Sequence, residues 1–363
     1  MADEKTGGRH FASRLVDDHD DDSHDLESPS SKRSRKRSLG IILLSVALVL
    51  ALVAMGFALF INHSIVEGRR RFEDSMQHMI DQSGSTIEHD GVTYQLNKNM
   101  VTIAFIGFDG RTVNATSGDQ TTGQSDTIMV LALNADTGKS TCIFIPRDSW
   151  VDVDTYIAGS YSGQQKMQLC LQYTYGSTNE ESSLLVAQCA SRVLSGIPID
   201  YYFTLNVEGV GPLVDAIGGV KLTPVNSVEK YGIVEGEETV LNGLRAQEYV
   251  QYRDYLVDSS TLARQERQLS FIRAFAEQAL GSAAGDPGKL VALYQTALQY
   301  TWTNLGIEEF SYMASIMAEH GITDFEIKTL EGEFSSQDGH AVLYLDQDSV
   351  TQTLLEVFYS PVS

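Results

Sequence analysis

Val101-Thr-Ile-Ala-Phe-Ile-Gly-Phe-Asp-Gly-Arg111 opens the stretch, running to Asp148, on which the fold turns. Its first seven residues form an apolar run that stops at Gly107 and gives way to Phe108-Asp-Gly-Arg111. A polar, Gly-rich loop leads to Gln124-Ser-Asp-Thr127, and a second apolar run covers Ile128 to Leu133. The chain turns at Asn134-Ala-Asp-Thr-Gly-Lys139, returns as Ser140 to Ile145, and breaks at Pro146-Arg-Asp148. Short apolar runs bounded by Gly, Pro and Asn read as buried strands. Each run carries charge where its apolar pattern stops, and open α/β sheets bind ligands at strand ends. Two carboxylates, Asp109 and Asp126, share those ends with Arg111 and Arg147. The set suggests a metal and an anion held together.

C-terminal to this stretch, Trp150 to Gln165 reads as an aromatic, Gly-rich loop, followed by Lys166 and a helix at Ser182 to Leu194. A strand is expected at Tyr202 to Leu205 and a helix at Val207 to Ile217, stopped by Gly218-Gly219. Leu241-Asn-Gly243 caps a helix through Tyr249 that leads to Gln251-Tyr-Arg253. Ala263 to Leu280 is a longer helix with Arg264, Arg267 and Gln268 near its start, the two arginines at i and i+3 on one face. Further helices are expected at Gly288 to Thr301, Ile307 to His320 and after Asp348, with a short strand at Asp324 to Leu330. No internal repeat or Pro/Ser linker splits the region, so a single mixed-sheet α/β domain, residues 100–363, is expected.

Residues 1–38 are polar and contain Asp17-Asp-His-Asp-Asp-Asp22. They read as a disordered tail, because so little apolar surface cannot offset the entropy of ordering. Leu39 to Ile61 is an uncharged run of 23 residues, long enough at about 1.5 Å per residue to cross a bilayer. It reads as a transmembrane signal anchor for residues 39–61. Lys32-Arg-Ser-Arg-Lys-Arg37 outweighs Arg69-Arg-Arg71, which puts the N-terminus in the cytoplasm and the domain outside. Residues 62–99 read as a juxtamembrane linker containing a helix near Phe72 to Asp81. The tail holds 8 Lys+Arg and 9 Asp+Glu, so the remainder carries −22 − (−1) = −21. So acidic a domain argues against nucleic acid as a partner, and any anion site must come from a few clustered arginines. Cys142, Cys170 and Cys189 read as buried thiols, with a Cys170–Cys189 disulfide as the alternative.

Mg²⁺ is held by one or two carboxylates, with water and phosphate oxygens completing its shell. Arginine forks match phosphate bidentately at any relevant pH. Asp109 and Asp126 are therefore the candidate metal ligands, and Arg111, Arg147, Arg253, Arg264 and Arg267 the candidate anion ligands. Taken alone, each residue also fits a turn, a cap or a surface ion pair. No GxSxG, P-loop, HExxH or GxGxxG motif is present.

Ile106-Gly-Phe-Asp-Gly-Arg111, Gln-Ser-Asp-Thr-Ile-Met129, Phe-Ile-Pro-Arg-Asp148, Val214-Asp-Ala-Ile-Gly-Gly-Val220, Leu-Asn-Gly243 and Arg264-Gln-Glu-Arg-Gln268 occur in that order. The ordered set resembles the LytR-CpsA-Psr family of bacterial cell-envelope enzymes over Val101 to Ala279. That resemblance implies a membrane-anchored phosphotransferase. Such enzymes move a glycopolymer from a polyprenyl-pyrophosphate carrier to a peptidoglycan hydroxyl through a phosphodiester. It further implies Mg²⁺ on Asp109 and Asp126 and pyrophosphate on Arg111, Arg147, Arg253 and Arg264. Arg267 and Gln268 match the end of the last motif, and Lys166 matches a lysine before the next helix. Asp109 or Asp126 is the first choice of base, with Asp148 behind them. The chain departs from the family pattern at Gln124 and Gln251, where arginines are usual. Two rivals follow: a non-catalytic binder of polyprenyl-pyrophosphate lipid, and a hydrolase of the pyrophosphate.

Overall fold

The computed structural model describes residues 55–56, 58–81, 84–108, 123–253, 260–283, 288–320 and 325–362. The chain divides into two compact units, Met1–Leu59 and Phe60–Ser363. Most of the first, including most of the expected membrane span, lies outside the described residues. No helix among the described residues is long and apolar enough to cross a membrane.

The second unit begins with helix α1 (60–81) and the strands β1 (Thr86–His89) and β2 (Val92–Leu96). Then come β3 (Met100–Phe108), β4 (Ser125–Asn134) and β5 (Ser140–Phe144), the three strands expected from the sequence. β6 (Trp150–Ile157) and β7 (Ser160–Gln168) precede α2 (Asn179–Val193), β8 (Tyr201–Asn206), α3 (Val210–Ala216) and β9 (Val220–Leu222). β10 (Thr239–Leu241), α4 (Gly243–Gln251), α5 (Ser260–Ala283), α6 (Gly288–Ala297), β11 (Thr301–Thr303) and α7 (Ile307–His320) follow. β12 (Phe325–Thr329), β13 (Gly332–Gln337), β14 (His340–Leu345), α8 (Gln347–Phe358) and β15 (Tyr359–Pro361) complete the unit.

The principal sheet has six strands in the order β11-β8-β3-β4-β5-β12. It is mixed: β3 is parallel to β8 and antiparallel to β4, while β5 is antiparallel to β4 and parallel to β12. Both faces are covered, which is why β3 is nearly all apolar rather than alternating, its one hydroxyl, on Thr102, donating to the Pro198 carbonyl at 2.5 Å. Met100, Ala104, Ile106 and Phe108 point to a core shared with Val186, Ala187 and Ala190 of α2 and Val350, Leu354 and Phe358 of α8. Val101 and Ile103 point the other way, to Phe72 of α1 and Tyr312 and Ile316 of α7. Each fully buried Val, Leu, Ile, Met or Phe among them contributes roughly 1.5–3 kcal/mol relative to exposure.

Two expectations need correction. Residues 62–99 are not a linker. Phe72, Met76 and Leu96 are buried in the cores, and β2 pairs with the C-terminal strand β15. α1 lies so close to α7 that a Cβ on Gly68 would fall 2.2 Å from the Glu308 carbonyl oxygen. Arg71 reaches the buried Glu309 carboxylate at 2.6 Å. Trp150 to Gln165 is not a loop either but most of an antiparallel hairpin, β6–β7, turning at Ala158 and Gly159, both with positive φ. A separate small core, built from α3, β9, β10, α4 and α5, gathers Val214, Val220, Leu241, Tyr249 and Phe271. All three cysteines are free and buried.

Candidate functional site

The antiparallel order places the end of β3, the start of β4 and the end of β5 at one edge of the sheet. Phe108 pairs with Ser125, and the Ile145 amide donates to the Ile128 carbonyl at 3.0 Å just before Pro146-Arg147-Asp148. Asp109 and Arg111, one and three residues past the end of β3, lie outside the described residues. Gly107 lets the strands approach closely here: a Cβ would lie 3.0 Å from the Thr127 Cβ, so the neighbour would have to give way, and the β3–β4 register shifts at this point.

Arg147 is the hub. Its guanidinium donates to Asp126 Oδ1 through Nη1 and to Gln124 Oε1 through Nη2, the latter at 2.5 Å. Nη2 also lies 3.4 Å from the Cys170 sulfur, and Nε is 3.6 Å from Asp148 Oδ1. Arg264, from the first turns of α5, donates to the same Asp126 oxygen at 3.2 Å. Burial works against the charge on Arg147, but Cys170, Asp126 and Asp148 outweigh it and hold its pKa above the usual arginine value. The Cys170 thiol is pushed up to about 11, chiefly by burial, so it faces Arg147 as a neutral group.

Asp148 is the second carboxylate of the cluster. Burial pushes its pKa above the usual aspartate value, although Arg147, Arg264 and Arg253 pull the other way. The influence of Arg253 brings the segment after α4 to the same site. Gln168, at the end of β7, donates from Nε2 to Asp148 Oδ1 at 3.0 Å and to the Ala341 carbonyl at 2.7 Å. The Leu343 amide donates to the Asp148 carbonyl at 2.8 Å, so β14 braces the segment from behind.

Arg267 does not join the cluster. It is 3% exposed and donates to the Tyr249 carbonyl at 3.0 Å, to the Tyr252 carbonyl and to Asn226 Oδ1 at 2.5 Å. Those carbonyls are orphans at the C-terminal end of α4. Arg267 therefore fixes the end of the helix from which Arg253 emerges, and burial lowers its pKa below the usual arginine value. Gln268 accepts from Thr127 Oγ1 at 3.0 Å and donates to the Val250 carbonyl at 3.3 Å, tying α5 to β4 and α4. Lys166 pairs with Asp152 across the hairpin at 3.1 Å rather than with the arginines.

Cys170 and Gln168 escaped the sequence reading. Gln168 shares the Lys166 face of β7, but the Ala158-Gly159 turn is not one of the Asn-Gly, Asp-Gly or Gly-Gly pairs that mark a two-residue hairpin in a sequence. Cys170 carried no signal either. Among the described residues no three His, Cys, Asp or Glu side chains converge as a metal cage. Mg²⁺ needs only one or two protein carboxylates beside substrate oxygens, and Asp126, at the mouth of the arginine cluster, fits that requirement.

Comparison with known proteins follows the same lines. The family model described as "LytR_cpsA_psr family" matches residues 65–357. The chain is 28% identical over 256 residues to the cell wall biosynthesis protein LcpA of Corynebacterium glutamicum, covering 64% of this chain but only 48% of that protein. It thus spans about half of that relative. It is 24% identical over 332 residues to the polyisoprenyl-teichoic acid–peptidoglycan teichoic acid transferase TagU of Enterococcus faecalis, covering 89% and 97%. Among solved structures, Bacillus subtilis TagV aligns with a TM-score of 0.55 at 22% identity over 72% of this chain and 98% of that one. The family match spans both the sheet and the elements that bring the arginines together, and the chain belongs to the LytR-CpsA-Psr family.

Proposed function

We propose that the protein is a membrane-anchored, Mg²⁺-dependent phosphotransferase that moves a glycopolymer from polyprenyl pyrophosphate to a peptidoglycan hydroxyl. The observation that carries the reading is the convergence of Arg147 and Arg264 on one oxygen of Asp126, with Asp148 and the charge of Arg253 alongside. Phosphoryl transfer is mostly positioning and charge neutralisation, and fixed guanidinium forks supply both. The named activities of TagU and its relatives support the same chemistry. The anchor is residues 39–61, with the domain on the outer side of the membrane.

Asp126, with Asp109, would hold Mg²⁺, which supplies Lewis acidity to the phosphoryl oxygens. Arg147 and Arg264 bind the pyrophosphate oxygens, moving from Asp126 toward the substrate as it enters. Gln124 and Cys170 keep the Arg147 fork oriented. The sugar hydroxyl oxygen of the acceptor attacks the glycan-bearing phosphorus, and its proton passes to Asp148. The bond from that phosphorus to the bridging oxygen breaks, and polyprenyl phosphate leaves. Asp148 suits the proton better than Asp126, which would be committed to the metal.

The test uses the full-length chain in detergent, a synthetic polyprenyl-pyrophosphate oligosaccharide and peptidoglycan fragments. Products are followed by mass spectrometry with Mg²⁺ or EDTA. Metal-dependent glycan phosphate on peptidoglycan, lost in Asp126→Ala, is the expected result. Free sugar phosphate without conjugate makes the protein a hydrolase. Lipid binding without turnover makes it a carrier-binding protein.

A further inference from the structure

The β6–β7 ribbon places Lys166 on Asp152 rather than on the arginine cluster, yet one of its faces leads straight into the site. Its inner face is core: Val151, Val153 and Thr155 are buried. Strand alternation puts the other set of cross-strand pairs on the opposite face, and the register gives that set as Trp150–Gln168, Asp152–Lys166, Asp154–Gln164 and Tyr156–Tyr161. The irregularity between Thr155 and Tyr156 keeps the tyrosine pair in line, because Ser162 turns to the inner side, where its hydroxyl lies 2.9 Å from Thr155 Oγ1.

Along this face the chemistry is graded. At the turn end, Tyr156 and Tyr161 meet edge-on with centroids 5.6 Å apart, and Tyr161 is 58% exposed. Next, Gln164 Nε2 donates to Asp154 Oδ1 at 2.9 Å, and Arg192 of α2 reaches the same carboxylate at 2.8 Å; Asp154 is itself buried, so Gln164 and Arg192 are the groups exposed at this step. Then comes the exposed Lys166–Asp152 pair. At the inner end Gln168 holds Asp148. From Tyr161 to Gln168 the strand advances roughly 23 Å, at about 3.3 Å per residue over seven steps.

We propose that this face is the track for the acceptor glycan strand of peptidoglycan, an inference that rests on the phosphotransferase reading. Aromatic faces take the CH faces of pyranose rings. The amides and ion pairs offer paired donors and acceptors to ring hydroxyls and N-acetyl groups. The two carboxylates balance Lys166 and Arg192, so the stripe has none of the positive excess that an anionic glycopolymer would need. A neutral saccharide backbone is the occupant it fits, and its continuity with Gln168 and Asp148 delivers a sugar hydroxyl to the proton acceptor.

The experiment titrates full-length protein in detergent, by calorimetry, with a tetrasaccharide of alternating N-acetylglucosamine and N-acetylmuramic acid whose lactyl carboxyls are capped as amides, so that the probe is neutral. Tyr161→Ala and Lys166→Gln, both at exposed positions, are expected to weaken binding about tenfold. Gln165→Ala, exposed on the same strand but of opposite parity, leaves it unchanged. In turnover, Tyr161→Ala raises the KM for acceptor by the same factor with kcat retained. The track is overturned if the wild type does not bind the tetrasaccharide, if Tyr161→Ala and Lys166→Gln bind as the wild type does, if Gln165→Ala loses as much, or if a polyglycerol phosphate binds more tightly. Calorimetry requires no turnover, so a chain that binds the tetrasaccharide but makes no conjugate sinks the transferase reading separately.

Discussion

At the residue scale, the site depends on how many acceptors each arginine is given. Arg147 and Arg264 share one Asp126 oxygen, so Asp126→Ala removes their shared acceptor and leaves Asp148, 3.6 Å from Arg147, as the nearest counter-charge. Transfer should fall about 10²-fold or more, the scale seen when an aligned charge stabiliser is lost, measured as initial rate of conjugate formation. Arg267 is different in kind, since its forks cap the α4 end. Arg267→Met strands buried carbonyls and should cost about 3 kcal/mol, read from urea denaturation. Arg267→Lys should recover only part of it, because an ammonium cannot span the three acceptors. Asp148 gives the pH dependence. Its pKa is raised in the fold, so the proton-accepting carboxylate is lost as pH falls through a value above the ordinary aspartate range. The acid limb of kcat/KM should therefore lie above that range and vanish in the residual activity of Asp148→Asn. The same shift means that ionised Asp148 destabilises the fold above its folded-state pKa. Asp148→Asn should thus raise Tm at neutral pH while lowering turnover.

At the element scale, helix α1 is held by close approach rather than by length. Gly68 lets its backbone rest on Glu308, and Arg71 satisfies the buried Glu309, which also accepts from Tyr201 at 3.2 Å and from the Gly306 amide at 2.9 Å. Gly68→Leu forces the two helices apart. It should cost about 1–3 kcal/mol, seen as a lower Tm in differential scanning calorimetry, with little change in the affinity for pyrophosphate lipid. The hairpin β6–β7 makes the complementary point. Its residues Tyr156, Tyr161 and Gly163 resembled a loop because they lack strict alternation. The hairpin is exposed on one face and interrupted by a bulge, so its apolar signal is weak even though its strands pair from Trp150–Gln168 to Ile157–Ser160 on either side of that bulge.

At the scale of the whole molecule, the two ends of the unit close on each other. β15 pairs with β2, and α1 covers the sheet face that Val101 and Ile103 present. A chain started at residue 100 should expose that face and fail to unfold cooperatively, whereas one started at residue 60 should show a single sharp thermal transition. The strands of the site were legible in the sequence, because apolar runs such as Val101 to Gly107 and Ile128 to Leu133 are buried on both faces and need no partner to be recognised. The charge at their ends was legible too, since Asp126 and Arg147 each stand where a strand's apolar pattern starts or stops. What the sequence could not decide was which cations face the site. Arg264 and Arg267 differ by three positions and by nothing local. Only the packing of α5 between β4 and the end of α4 sends one to Asp126 and buries the other against main-chain carbonyls. The same holds for Gln168 and Cys170, which reach Asp148 and Arg147 through a hairpin and a turn whose positions are set by long-range contacts, and no local residue pattern encodes those.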